Sequence, residues 1–199
     1  MQPSSLAATA LFLVSAICSA QAYELNILHI TDHHSHLQTN KLDVKLDGKR
    51  TRVAAGGFPA ITTAFKELGA DKSNLLKLHA GDVITGDLYY TLFKGEADAA
   101  LMNTVFFDAV ALGNHEFDNG DAGLVKFLAH LRTGNCKTPV LAANVKPEVG
   151  VSPLTKNGPN DYFIPSIVLQ RGGQKIGIIG IDIALKKFIK PRCNYSVSR

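Results

Sequence analysis

Several features are missing from this chain, and each absence narrows its reading. The 21 lysines and arginines are scattered apart from KKFIKPR at 186–192, and the excess of +4 is mild. Without a basic stripe, a nucleic-acid polymer is a poor partner. No Asp, Glu, Lys or Arg occurs in residues 1–22, so the net charge belongs to residues 23–199. The apolar run Leu6–Ile17 is too short to span a bilayer comfortably. It precedes Ala20-Gln21-Ala22, an A-x-A cleavage site. The expectation is a signal peptide over 1–22, cleavage after Ala22, no membrane span thereafter, and a secreted, periplasmic or cell-surface product. Cysteine is scarce: Cys18 leaves with the signal, while Cys136 and Cys193 remain and are free to form one disulfide in an oxidising compartment. Residues 23–185 hold no repeat, low-complexity tract or linker, which reads as one domain.

What is present alternates between two periodicities. Short apolar runs over 24–31, 74–80, 108–112 and 139–145 read as strands. Between them, 58–68, 95–106 and 122–131 carry apolar residues at helical spacing. The polar stretch 40–52 reads as a loop with an Asp-Gly turn. Residues 164–170 and 175–181, separated by Arg171-Gly172-Gly173-Gln174, read as a β-hairpin. Repeated strand–helix–strand units predict an α/β fold with a largely parallel sheet and helices packed on it. In such sheets ligands sit beyond the carboxyl ends of the strands.

Those ends carry the polar chemistry. The first is followed by Thr31-Asp32-His33-His34, the second by Gly81-Asp82, the third by Gly113-Asn114-His115-Glu116-Phe117-Asp118. One aspartate at a strand end is ordinarily a turn former or a cap. Three adjacent ends with Asp, Asn and His point instead to a shared site. Carboxylate, amide oxygen and imidazole suit divalent metals such as zinc, manganese or iron, and no cysteine lies near enough for a thiolate zinc site. Asp32 and His34, two apart, can both face one ion; Asp82 could bridge two with its two oxygens; Asn114 would add a neutral oxygen to the second. Two such ions clamp a phosphoryl group and acidify a bridging water. His33 and His36 read either as groups supporting the ligands from behind or as solvated loop residues, the latter favoured, and His29 and His79 as core or edge histidines. Glu116 either pairs with a basic side chain or supports its loop. Asp87, Tyr89 and Tyr90 read as capping and packing residues, Gly56-Gly57 as a tight turn, and Asn144 as a structural hydrogen-bonder.

Asp32-x-His34, Gly81-Asp82 and Gly113-Asn114-His115-Glu116 resemble the first three blocks of the calcineurin-like metallophosphoesterases. The longer stretches AGDVITGDLYYTLFKGEADAALMN (80–103) and ALGNHEFDNG (111–120) resemble the 5′-nucleotidase family within them. The resemblance implies a metallophosphoesterase-type β-sandwich flanked by helices (α/β/β/α), incomplete at its C-terminal end. It implies two divalent ions, zinc foremost with manganese, cobalt or magnesium as alternatives, and a nucleotide substrate. By position, Asp32 and His34 would hold the first metal, Asp82 would bridge, and Asn114 would hold the second. His115 would face the phosphate, stabilising charge or protonating the leaving oxygen, and Asp118 would orient and charge that imidazole.

The chain also departs from the family's pattern. Later blocks of the family supply two further metal-binding histidines, one in a Gly-His-x-His-like segment, yet no histidine follows His130 here. A following domain that holds the base by aromatic stacking is expected to be absent. Residues 186–199 do not resemble the family and read as an atypical tail.

Overall fold

A computed structural model describes residues 22–154 and 162–183 and the backbone of a strand at 195–197. The segment expected to be a signal peptide, apart from Ala22, lies outside the described residues, as do Cys193 and nearly all of the tail.

The four parallel strands that position the site are β1 (Asn26–Ile30), β4 (Leu75–His79), β5 (Ala109–Ala111) and β6 (Val140–Leu141), side by side in that order. Between β1 and β4 stand β2 (Asn40–Leu46), β3 (Lys49–Ala55) and α1 (Phe58–Gly69). Helices α2 (Leu88–Phe93) and α3 (Glu96–Val105) lead to β5, and α4 (Gly120–Thr133) leads to β6. Strand β7 (Val145–Pro147) comes next, then the hairpin β8 (Ser166–Arg171) and β9 (Gln174–Ile179). The parallel sheet of an α/β fold is therefore observed. Among the described residues no helix is long and apolar enough to cross a membrane.

Strand alternation divides the sheet into two faces. Leu28 and Ile30 of β1 and Val110 of β5 join one core with Phe58, Phe65, Met102, Leu124, Phe127 and Leu131 of the helices. On the other face Ile27, His29, Leu78, Ala109 and Ala111 line a cavity of about 240 Å³ whose far wall includes Ile178 and Ile179 of β9. The hairpin is anchored at the opposite end of the sheet. Arg171 donates from Nε to the Leu75 carbonyl at 2.8 Å and pairs through Nη2 with Asp108 at 2.5 Å.

One expectation is corrected. Residues 40–52 are not a loop but most of a β-hairpin, paired from Asn40↔Ala55 to Leu46↔Lys49. Its turn is Asp47-Gly48 with φ of 48° and 81°. Two consecutive positive φ values make the two-residue turn whose twist suits a hairpin. The alternation of Leu42, Val44 and Leu46 with charged residues was masked by overall polarity. Asp43 is clamped by Arg52 at 2.9 Å and Arg50 at 2.8 Å, which together hold its carboxyl below the usual range. The fourth predicted strand is shorter than expected: past Leu141 the N–H groups of Ala142 and Ala143 turn to Ile164 O at 2.9 Å and Gly180 O at 2.7 Å, and the Asn144 side chain clasps Asp182. Its Nδ2 donates to the Asp182 carbonyl at 2.8 Å and its Oδ1 accepts the Asp182 N–H at 2.9 Å. Asn144 is thus the structural hydrogen-bonder expected of it. Helix α2 was not foreseen; Asp87 precedes it, and Lys94 closes it in the left-handed region.

Candidate metal centre

Register brings the strand ends together. Asn26↔Leu75 through Ile30↔His79 pair in parallel, and Leu78↔Ala109 and His79↔Val110 continue the alignment to β5. The pairing runs on past the strands: Asp32 N–H donates to Gly81 O at 3.0 Å, His34 N–H to Asp82 O at 3.2 Å, and Ser35 N–H to Val83 O at 2.9 Å. Asp32, Asp82 and the 113–118 segment therefore emerge on one rim. The third of these loops approaches the second so closely that a Cβ on Gly81 would lie 2.6 Å from Gly113 N. Only glycine, here with φ of +98°, fits there.

On this rim His34, Asp82 and His115 each offer one ligand atom, and those atoms all lie within 4.8 Å of one another. Asp32 Oδ1 is 3.7 Å from His34 Nε2, which adds a fourth donor. Its other carboxylate oxygen accepts from Thr31 Oγ1. The rings of His34 and His115 meet edge to face with centroids 4.8 Å apart. Asn114 is half-buried at the start of a short 3₁₀ helix, Asn114–Phe117, between Gly113 and His115. The sequence-predicted residues thus share one rim, but His115 stands inside the tightest cluster and Asn114 beside it. His34, Asp82 and His115, half-exposed and mutually close, fit a divalent cation, with Asp32 exposed at the edge beside His34.

The site is held under strain. Asp32, His34, Ser35 and Asp82 have φ of 53°, 44°, 57° and 54°. A non-glycine residue held in a sparsely populated backbone region costs about 1–3 kcal/mol and persists only where the surroundings over-determine it. Glu116 is one such surrounding. Buried, it accepts Val83 N–H on Oε1 at 2.7 Å, and Gly113 and Asp82 N–H on Oε2 at 2.6 and 3.0 Å. It supports its loop and makes no basic pair among the described residues. Burial pushes its carboxyl up to about 7 against the pull of the three N–H groups. The native state therefore holds this proton more tightly than the unfolded chain. Its contribution to stability is greatest below the unfolded value of 4.5 and falls as pH rises to about 7. Glu116→Gln is expected to lose that slope. It also turns an amide NH₂ toward backbone donors, at a cost of about 1–3 kcal/mol. Urea melts at several pH values measure both effects; wild-type stability with the slope retained would contradict them.

The general-acid candidate is equally defined. His115 Nδ1 lies 2.8 Å from Asp118 Oδ2, so Nδ1 carries a proton toward the carboxylate and Nε2 is left for the rim. The Asp118 hydrogen bond raises the His115 pKa, and burial opposes it. Asp82 receives the His115 backbone N–H on Oδ1 at 2.9 Å, which leaves Oδ2 free of that bond. Behind the rim lies Asp182, whose buried Oδ2 has no hydrogen-bond partner among the described residues. Burial pushes its carboxyl up to about 6, with a smaller contribution from the charge of Asp82.

Two side chains escaped the sequence reading. His33, for which solvent was the favoured of two expectations, is 7% exposed, with Nδ1 2.9 Å from His79 Nε2 and Nε2 3.3 Å from Asp98 Oδ1. Asp98 was overlooked. It lies on the buried stripe of α3 with Met102 and Val105, and a carboxylate at core spacing was the available signal. His79 is buried as expected, and burial, with the nearby His33, lowers its pKa to about 3.

A parallel sheet whose carboxyl ends carry Asp-x-His, Gly-Asp and Gly-Asn-His defines a class of metal-dependent phosphoesterase. The calcineurin-like phosphoesterase family matches residues 25–187, and this chain belongs to that family. Among its relatives, the probable 5′-nucleotidase of Treponema pallidum is 46% identical over 164 residues, 82% of this chain and 26% of that one. The NAD 5′-nucleotidase of Haemophilus influenzae is 46% identical over 83% of this chain and 26% of its own. The solved structure of the Haemophilus influenzae NAD nucleotidase superposes with a TM-score of 0.78 at 42% identity, covering 88% of this chain and 29% of that one. The chain therefore spans about a quarter of the length of these curated relatives, 26% in each case.

Proposed function

We propose that residues 23–185 are the metal-binding domain of an exported phosphohydrolase that converts nucleoside 5′-monophosphates, or nucleotides related to them, to nucleoside and phosphate. The observation that carries this is the convergence of His34, Asp82 and His115 within 4.8 Å at the sheet's carboxyl rim. The names of the relatives supply the substrate class, and the A-x-A site at 20–22 supports export. Asp32, His34 and Asp82 are the residues that would hold a first divalent ion, and Asp82 with Asn114 a second. When bound, such ions supply Lewis-acid stabilisation to phosphoryl oxygens and lower the pKa of water.

The chain's own residues do the rest. Asp118 fixes the His115 tautomer through Nδ1 and favours the protonated ring. His115 Nε2 then faces the rim, where it holds a proton for the departing ester oxygen. A general acid works below its pKa, so activity falls as pH rises through it. Asp118→Asn removes the group that raises this pKa. The alkaline limb of the rate profile is expected to move to lower pH, and an unmoved limb would contradict the pairing.

A second reading is favoured by one observation. Among the described residues one group of three His, Cys, Asp or Glu donors lies close enough to hold an ion, His34, Asp82 and His115, and the assignment by position leaves the second ion Asp82 and Asn114. The chain alone would then bind one metal and turn over nothing. Zinc titration with phosphate release from AMP, and release of mononucleotide or sugar phosphate from NAD and UDP-glucose, separates the two. Zinc-dependent release from AMP supports the hydrolase, and zinc uptake with no release from any of them supports the binding module.

A further inference from the structure

A buried polar chain behind the rim has no part in that chemistry. His33, Ser35, His79 and Asp98 are 7%, 0%, 2% and 0% exposed, so each polar atom needs a partner. The partners form one line. Gly81 N–H reaches His79 Nδ1 at 3.1 Å, His79 Nε2 reaches His33 Nδ1 at 2.9 Å, and His33 Nε2 reaches Asp98 Oδ1 at 3.3 Å. Ser35 Oγ donates to the other Asp98 oxygen at 3.1 Å.

The line has a direction. A backbone N–H can only donate, so His79 Nδ1 is an acceptor and its proton is on Nε2. That proton is donated to His33 Nδ1, which leaves the His33 proton on Nε2, aimed at Asp98. At the other end, a carboxylate that accepts requires the same arrangement. Both ends fix the same two tautomers. Asp98 sits in the first turn of α3, where the helix N-terminus favours a negative group.

The line also ties together the segments that carry the rim. Gly81 precedes Asp82, and His33 and Ser35 flank His34. Asp82, His34 and Ser35 are three of the residues with left-handed backbone. We infer that His79, His33 and Asp98 form a one-way hydrogen-bond chain that positions the two loops bearing Asp32, His34 and Asp82, so that all three are positioning residues for the centre. The consequence for metal affinity rests on the metal-centre reading; the tautomers do not.

The test uses the full chain labelled with ¹⁵N-histidine and free of metal. Long-range ¹H–¹⁵N spectra are expected to show a protonated Nε2 and a bare Nδ1 in both His33 and His79. A protonated Nδ1 in either ring overturns the inference. Zinc affinity by chelator competition then probes the positioning. Asp98→Leu removes the acceptor while keeping the number of side-chain heavy atoms, and a loss of roughly 10–100-fold is expected, as when groups that orient metal ligands are removed. Asp98→Asn can still accept from His33 and donate to Ser35, and its affinity is expected to stay within about threefold of wild type. Equal losses in the two variants overturn the inference. If Asp98→Leu does not fold, Ser35→Ala replaces it, with weakened zinc binding expected and wild-type binding counting against the chain. A wild-type protein that takes up no zinc sinks the metal-centre reading, and the tautomers then decide this inference by themselves.

Discussion

Asp82→Asn is expected to abolish tight metal binding while leaving the fold intact. The two effects separate because the two oxygens of Asp82 have separate duties. Oδ1 accepts the His115 backbone N–H at 2.9 Å, and an asparagine Oδ1 preserves that bond. The other oxygen becomes an NH₂, which cannot ligate a cation and places two donors where an acceptor stood. A full negative charge is lost at the point where both ions would be shared. The loss should exceed the roughly 10–100-fold seen on removal of groups one step outside a ligand set. Bound zinc by elemental analysis and a thermal melt without metal measure the two halves. Zinc affinity near wild type would mean that Asp82 is a structural residue of the loop.

On the hydrolase reading, His115→Ala in a full-length protein is expected to lower turnover by about 10²–10⁴-fold, the range typical of a lost general acid or base, with metal content near wild type. This is a discriminating variant because the geometry admits another role. The ring lies in the same cluster as His34 and Asp82, within 4.8 Å. Its Nδ1 is occupied by Asp118, so Nε2 faces either a leaving oxygen or an ion. Retained metal with lost turnover assigns the proton role. Lost metal assigns His115 as a ligand and removes the general acid from the scheme.

Both variants concern residues that stand out in the sequence, and the reason is local. Each lies just past an apolar run, and Gly81 and Gly113 mark the places where two chains must cross closely. A strand's end and its next residue are set by a few neighbours, so the rim was legible. The parallel sheet was legible for the same reason, from alternating periodicities. The hairpin at 40–55 was not, because its apolar stripe of Leu42, Val44 and Leu46 is diluted by five Lys and Arg on the two strands. His33 was not legible either. Whether a histidine beside a ligand points out or in depends on Asp98, 65 positions away, and on His79, 46 away. No local pattern near His33 holds that information. Glu116 belongs between these cases. Its place in GNHEF marks a loop, but its three backbone donors come partly from a segment more than thirty residues earlier, with separations of 33 and 34.

The central claim is that donors from separate strand ends share one pair of cation sites. Crystals of the chain grown with manganese test it most directly, by anomalous difference maps. A peak is expected among Asp32, His34 and Asp82, with a second, weaker one beside Asp82 and Asn114. A map from manganese-saturated crystals with no peak at any of these residues would contradict it.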